Sequence, residues 1–216
     1  TATKCSTLEN YGTIIADGAN ARGMEATDNS TVKNHTGGII TVNGADSEGI
    51  YVDYGATAEN YGIINVNGAG RTGIYLGNGG VLLNAGTINL SGGADGVITG
   101  SGSLTNIGDI TIDGPTASID GVTITNTGTI TVNGALDFGT IALGSTEGHI
   151  GTINADSFNK GQFIVLPNIT QGSNHDMYTV QYLNGIMNVP NNGSTTAISH
   201  SVSFIADLQK DDTDPN

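Results

Sequence analysis

The stretch Asn60-Tyr61-Gly62-Ile63-Ile64-Asn65-Val66-Asn67-Gly68 decides the fold of this chain, because its pattern returns along most of the sequence. Similar stretches begin at Asn10, Asn84, Asn106 and Asn126. A copy at Asn34 carries two extra residues, and a weaker copy over 149–155 lacks the asparagine. The repeated glycine, which recurs every 20 to 26 residues, stands at Gly12, Gly38, Gly62, Gly86, Gly108, Gly128 and Gly151. A period of this length predicts a stack of structural repeats.

Apolar and polar residues alternate within each copy, which is the period of a β-strand. The first inward column is aliphatic throughout: Ile14, Ile40, Ile64, Ile88, Ile110, Ile130 and Ile153. Two more strand columns fit each period, one exemplified by Gly49-Ile50-Tyr51-Val52 and one just before each asparagine. Three short strands and three turns then make one coil, and about seven coils stack with parallel strands roughly 4.8 Å apart. The sequence thus predicts an all-β parallel β-helix.

The repeated glycine and asparagine have a mechanical explanation. A corner between strands requires unusual backbone angles, which Gly tolerates fully and Asn better than most residues. Stacked Asn side chains can also form hydrogen bonds along a ladder. We expect a structural ladder in the column Asn10, Asn34, Asn60, Asn84, Asn106 and Asn126. An α-solenoid is excluded, because no period near 3.6 is present and glycine breaks helices.

The pattern stops near residue 156, where aromatic residues become more frequent. We therefore divide the chain into a β-helix over residues 1–156 and a distinct β segment over 157–208. The second part is expected to form irregular coils or a hairpin that caps the stack, since solenoid ends expose unpaired edges. Residues 209–216 are expected to be a frayed tail.

Composition limits the classes of partner. The chain carries 20 acidic and 6 basic residues, a net charge of −14. That charge repels phosphate backbones, so we expect no nucleic-acid partner. The single cysteine, Cys5, can form neither an internal disulfide nor a cysteine zinc site. No apolar run reaches transmembrane length, so we expect no direct membrane insertion by this chain.

The repeated phrase resembles the passenger domains of type V autotransporters, which are mostly right-handed parallel β-helices. A later segment, with Tyr182-Leu183-Asn184-Gly185-Ile186 and 201–208, resembles large fusobacterial adhesins of that class. The resemblance implies a right-handed β-helix at the cell surface, anchored through an outer-membrane barrel elsewhere in the parent protein. It also implies adhesion to a host or bacterial surface protein or glycan.

Outward aromatic residues are the best candidates for binding. Tyr51 and Tyr75 hold equivalent positions in successive coils, so they should stack on one outer face. Tyrosine is favoured at recognition surfaces, because it buries a large area at low entropic cost. We predict that Tyr51, Asp53, Arg71 and Tyr75 form a contact patch.

The sequence leaves two other functions open. One is a carbohydrate-active β-helix enzyme, a polysaccharide lyase or hydrolase, which needs clustered carboxylates. The best acidic group is Asp46, Glu48 and Asp53, near Arg71, but a turn between the first two favours solvated surface residues. We therefore predict no catalytic residue, no metal site and no cofactor. The other function is a structural spacer that binds nothing itself.

Overall fold

The computed structural model describes residues 1–67, 72–91, 95–143, 151–165, 187–188 and 202–204. These residues form an all-β parallel solenoid of about five regular turns, and no helix is present among them. The predicted class, an all-β parallel β-helix, is confirmed, with about five regular turns where about seven coils were predicted. None of the described segments is a helix long and apolar enough to cross a membrane.

Each regular turn has three sides, and the strands are numbered β1–β19 in chain order. Side A consists of β1 (Thr7–Asn10), β4 (Thr31–Asn34), β7 (Thr57–Asn60), β10 (Val81–Asn84), β13 (Ser103–Asn106) and β15 (Thr123–Asn126). Side B begins with β2 (Thr13–Ala16), β5 (Ile39–Val42), β8 (Ile63–Val66) and β11 (Thr87–Leu90). Side C begins with β3 (Arg22–Ala26), β6 (Glu48–Val52), β9 (Ile74–Leu76) and β12 (Asp95–Gly100).

Later strands differ from the predicted pattern of three short strands per coil. The strands β14 (Asp109–Asp120), β16 (Thr129–Leu143) and β17 (Thr152–Val165) each run along more than one side. The segment from side B to side C is shorter here, since Ile110 to Ile119 has one residue fewer than Ile88 to Ile98, with which they pair. The chain turns through irregular pairing, such as the register shift between Asp113 and Thr116.

Strand β17 continues through residue 156, so the predicted domain boundary does not coincide with a strand end. It pairs in parallel with β18 (Met187–Asn188) and β19 (Val202–Phe204). Most of 157–208 and all of 209–216 lie outside the described residues. The division into three parts therefore stays a prediction.

The core is a set of stacked aliphatic columns inside the coils. Side B contributes Ile40, Ile64, Ile88, Ile110 and Ile130, which are at most 1% exposed. Register pairs these isoleucines directly with one another from coil to coil. Stacking like residues in this way excludes water from the interior and supplies the main stabilising contribution, the burial of apolar surface.

The six asparagines that end the side A strands form a continuous hydrogen-bonded ladder. The amide nitrogen Nδ2 of each of the first five donates to Oδ1 of the asparagine in the next coil, at 2.7 to 2.9 Å. From Asn34 to Asn126 the side chains are fully buried. Asn60 Nδ2 also lies 3.3 Å from the carbonyl oxygens of Gly62 and Thr87, so the ladder joins the A–B corners of adjacent coils.

Corner glycines permit this close stacking. A Cβ atom on Gly86 would lie 2.2 Å from the carbonyl oxygen of Gly62, which real Cβ atoms do not approach. That same oxygen accepts a hydrogen bond from the Thr87 N–H at 2.9 Å, so it cannot move away without loss. Gly12, at the equivalent position in the first coil, has nothing within 4 Å of such a Cβ.

The ladder makes a testable contribution to stability. Asn60→Ala should lower the free energy of unfolding by about 2 to 3 kcal/mol, because it leaves buried partners on Asn34, Asn84 and Thr87 unsatisfied. Asn67→Ala removes an exposed amide bonded to Asn43 and should change stability by less than about 0.5 kcal/mol. Denaturant titration followed by circular dichroism measures both. Equal effects of the two substitutions would contradict the role of the buried ladder.

The corner glycines provide a second test. Gly86→Ala should destabilise the chain by about 1 to 3 kcal/mol or more, because the added methyl group overlaps the Gly62 carbonyl. Gly12→Ala should be neutral or slightly stabilising, because space is open there and alanine restricts the unfolded chain. Thermal melts of both variants check the difference. Equal melting temperatures of the two variants would contradict the role of close approach at Gly86.

Candidate functional site

Two tyrosines stack on the outer surface of side C. Tyr51 on β6 and Tyr75 on β9 are direct partners in the parallel register. Their ring centroids lie 4.9 Å apart with an interplanar angle of 16°, and both side chains are half-buried. The spacing matches the distance between strands, so the fold itself places the two rings in contact.

Arg22 covers the other side of Tyr51. Its guanidinium carbon lies 3.6 Å from the centre of the Tyr51 ring, a cation–π contact. Nε of Arg22 donates to Glu48 Oε2 at 2.7 Å, and Nη1 donates to Glu25 Oε1. Burial alone would lower the pKa of Arg22, but the bonds to Glu48 and Glu25 outweigh it and raise the pKa. The guanidinium is therefore held over the ring by two carboxylates.

Asp53 supports Tyr51 from the following corner. Its side chain is 7% exposed, and its Oδ1 accepts the backbone N–H groups of Tyr54 and Asn78, each at 2.8 Å. Oδ2 accepts the Tyr51 hydroxyl at 3.2 Å. A Cβ on Gly77 would lie 2.3 Å from Asp53 Oδ1, so this carboxylate occupies space left by a glycine in the next coil. The aspartate thereby joins two corners and orients the ring.

These side chains form what we name the tyrosine cluster: Arg22, Glu25, Glu48, Tyr51, Asp53 and Tyr75. Burial raises the pKa of the Tyr51 hydroxyl, and the negative charge of Asp53 and its hydrogen bond raise it further. Burial opposes ionisation of Glu25, but the hydrogen bonds from Thr1 and Arg22 outweigh it and lower the pKa of that carboxyl. At neutral pH the Tyr51 phenol is therefore uncharged, and it lies beside the ion pairs of Arg22 with Glu25 and Glu48.

Three of the four residues predicted as a contact patch lie together, namely Tyr51, Asp53 and Tyr75. Arg71 lies outside the described residues. The guanidinium in contact with Tyr51 is that of Arg22, which the sequence argument missed. The sequence contains a pattern that could have predicted this position of Arg22. Arg22-Gly23 and Glu48-Gly49 are equivalent in successive coils, and Arg22 pairs with Glu48 in register.

A second group of aromatic and charged residues lies on side A. The rings of Tyr11 and His35 stack at 4.0 Å with an interplanar angle of 7°. Lys33 Nζ lies 3.0 Å from Glu59 Oε2, and this hydrogen bond raises the pKa of Lys33. The Tyr61 hydroxyl donates to the same carboxylate at 3.0 Å. Alternating charges in successive coils therefore pair with one another along this side.

The acidic residues considered for a lyase or hydrolase each have different surroundings. Asp46 lies in a turn with φ of 53°, and Glu48 is bound to Arg22. Asp53 faces Tyr51 and the corner backbone. Within the described part of the chain, no group of three or more His, Cys, Asp or Glu residues is arranged to hold a metal ion.

All strand pairings in the described part of the chain are parallel and the coils stack on aliphatic columns, which defines the class of parallel β-helix domains. The chain belongs to the family of the BigA third pectate lyase-like domain, whose model matches residues 1–108. That match covers half of the 216 residues, including every member of the tyrosine cluster. No curated protein and no solved structure matches the chain.

The environment of Tyr51 leads to a titration prediction. Asp53→Asn should lower the pKa of Tyr51 toward its ordinary value of 10.0, because the change removes the negative charge beside the phenol and leaves the burial. The pKa of Tyr61, which is raised mainly by its hydrogen bond to Glu59, should not change. Carbon-13 NMR of labelled tyrosine across alkaline pH measures both. A Tyr51 pKa that stays equally raised in Asp53→Asn would contradict the assigned cause.

Proposed function

We propose that this chain is a β-helical segment of a cell-surface adhesin and that its tyrosine cluster contacts a surface protein or glycan. The observation that carries this proposal is the half-exposed Tyr51–Tyr75 stack, fixed between Arg22 and Asp53. Tyrosine and arginine are the residue types most enriched at binding hot spots. A stack already fixed in one arrangement loses little side-chain entropy when a partner binds.

The mechanism of such a segment is presentation. Each coil adds about 4.8 Å along the stack, so the repeat holds outer side chains at regular heights and away from the membrane that anchors the parent protein. The satisfied interior supports this role, because side chains facing outward can change without disturbing the core columns. A likeness to autotransporter passengers at the sequence level favours the same placement at the cell surface.

Binding is a better use of these carboxylates than catalysis. A general acid or base must be able to exchange a proton with a substrate. Glu48 instead forms an ion pair with Arg22, and Asp53 accepts three hydrogen bonds from protein groups. These contacts position Arg22 and Tyr51. They support the proposal that the chain is not an enzyme.

A binding screen with matched variants tests the proposal. The purified chain is screened against immobilised host glycoproteins and a glycan array, and the dissociation constant of the strongest ligand is measured. Tyr51→Thr with Tyr75→Thr should weaken that binding about tenfold or more. Threonine is already the register partner of Tyr75 at position 99, so the strand should tolerate it.

Tyr54 supplies the control. It is 59% exposed, lies outside the stack and has a φ of 51°. Tyr54→Asn keeps a residue that accepts this backbone conformation and should leave both binding and the circular dichroism spectrum unchanged. Equal affinity of the double variant, or the absence of any ligand, would overturn the proposal in favour of a spacer. Release of products from polygalacturonate, with or without Ca²⁺, would overturn the non-enzymatic assignment.

A further inference from the structure

Large apolar side chains are exposed on side A and at its corner with side B in the third, fourth and fifth coils. Tyr61 is 38% exposed, Ile63 40%, Val81 40% and Ile107 52%. One exposed apolar side chain is ordinary on a protein surface, whereas a contiguous group of them marks an interaction site. The group lies on a different face from the tyrosine cluster.

The backbone pairing makes this group contiguous. Ala85 N–H donates to the Asn60 carbonyl and Ile107 N–H to the Asn84 carbonyl, each at 2.8 Å. Tyr61, Ala85 and Ile107 therefore occupy the same corner position in three successive coils, about 4.8 Å apart per coil. Because alanine is small, we expect a hollow over Ala85 between Tyr61 and Ile107, whose backbones are separated by roughly 10 Å.

Neighbouring strands continue the apolar surface on both sides of the hollow. The Tyr61 hydroxyl donates to Glu59 Oε2 at 3.0 Å, which directs the ring along side A. Leu83 is the register partner of Glu59, and Val81 lies on the same strand two residues earlier. Ile63 follows on side B, directly after Gly62. We define the corner patch as Tyr61, Ile63, Val81, Leu83, Ala85 and Ile107.

The chemistry of the patch selects its occupant. Branched aliphatic side chains gain little from hydroxyl-covered glycans, and they gain most by covering other apolar surface. Asp109 is exposed beside Ile107, whereas Glu59, which lies beside Tyr61, is paired with Lys33, so the charges around the patch remain acidic on balance. A net charge of −14 opposes pairing with a second copy and with anionic lipids. A protein with an apolar centre and basic surroundings fits both properties.

We propose that the corner patch is a docking surface for such a protein, with one apolar side chain entering the hollow over Ala85. This surface is independent of the tyrosine cluster. Its partner contributes the apolar side chain at the centre and lysine or arginine residues around it. Acidic residues at the edge speed and orient encounter, and the apolar centre supplies most of the affinity.

The test uses substitutions that the repeat itself supplies. Threonine occupies the position of Ile63 in the next coil, as Thr87, and the position of Ile107 in the next coil, as Thr127. Ile63→Thr with Ile107→Thr should therefore fold and remove much of the patch. Ile15→Thr is the matched control, because Ile15 is 63% exposed in the first coil, two coils from the patch.

The probe is a synthetic peptide of alternating leucine and lysine, measured by isothermal titration calorimetry. A serine–lysine peptide has the same charge without the apolar side chains, and a leucine–glutamate peptide reverses the charge. The leucine–lysine peptide should bind the full chain more tightly than both. The double threonine variant should weaken its binding about tenfold, and Ile15→Thr should not.

Four results would overturn the proposal. One is equal binding of the serine–lysine peptide, and another is unchanged affinity of the double variant. A third is concentration-dependent self-association that the double variant abolishes, which would assign the patch to a second copy. The fourth is patch-dependent binding to phosphatidylglycerol vesicles, which would assign it to a membrane. None of these substitutions touches Tyr51 or Tyr75, so failure here is distinguishable from failure of the adhesin proposal.

Discussion

The close approach of successive A–B corners is the constraint on which the rest of the structure depends. Parallel strands stack about 4.8 Å apart, so corner backbones must also approach to that distance. At Gly86 this leaves no room for a Cβ, because the Gly62 carbonyl oxygen already occupies the space. The neighbouring asparagine satisfies the polar groups that this approach buries, since Asn60 lies within hydrogen-bonding distance of Gly62 and Thr87 and donates to Asn84. Glycine provides the space and asparagine satisfies the buried polar groups, so neither residue suffices alone.

A polar ladder inside an apolar stack also fixes the register. A slip of one residue would turn each isoleucine of side B outward and break every amide contact. A register error therefore loses both apolar burial and hydrogen bonds. A second side-chain ladder lies at the B–C corner, where Asn43 donates a hydrogen bond to Asp17 and Asn67 donates one to Asn43. That second ladder is exposed, and water competes with it. The buried ladder therefore specifies the stack, whereas the exposed ladder adds little to it.

Much of the fold was predictable, because aligning the copies of a repeat shows which residues pair in register. Once the glycines are aligned, Ile64 must lie beside Ile40 and Tyr75 beside Tyr51, and the structure has both pairs. The long strands were not predictable from the strand columns alone. They arise where the segment from side B to side C shortens, since Ile110 to Ile119 is one residue shorter than Ile88 to Ile98, with which they pair, and a register shift replaces the loop. The contact between Arg22 and Tyr51 was missed because it combines two coils: Arg22 lies beside Glu48 in register, and only the bend of its long side chain brings the guanidinium over the ring.

The two outer surfaces differ in how they are held, and this bears on what each can bind. In the tyrosine cluster, Asp53, Glu25 and Glu48 fix Tyr51 and Arg22 through hydrogen bonds, so its arrangement depends on charge. The corner patch is held by aliphatic packing and by the corner backbone, with Glu59 as the charged group that orients Tyr61. High salt should therefore loosen the first surface more than the second, since screening weakens partly exposed ion pairs and leaves apolar burial intact. A rigid solenoid lets both surfaces exist on one segment, because neither contributes to the core that holds the other in place.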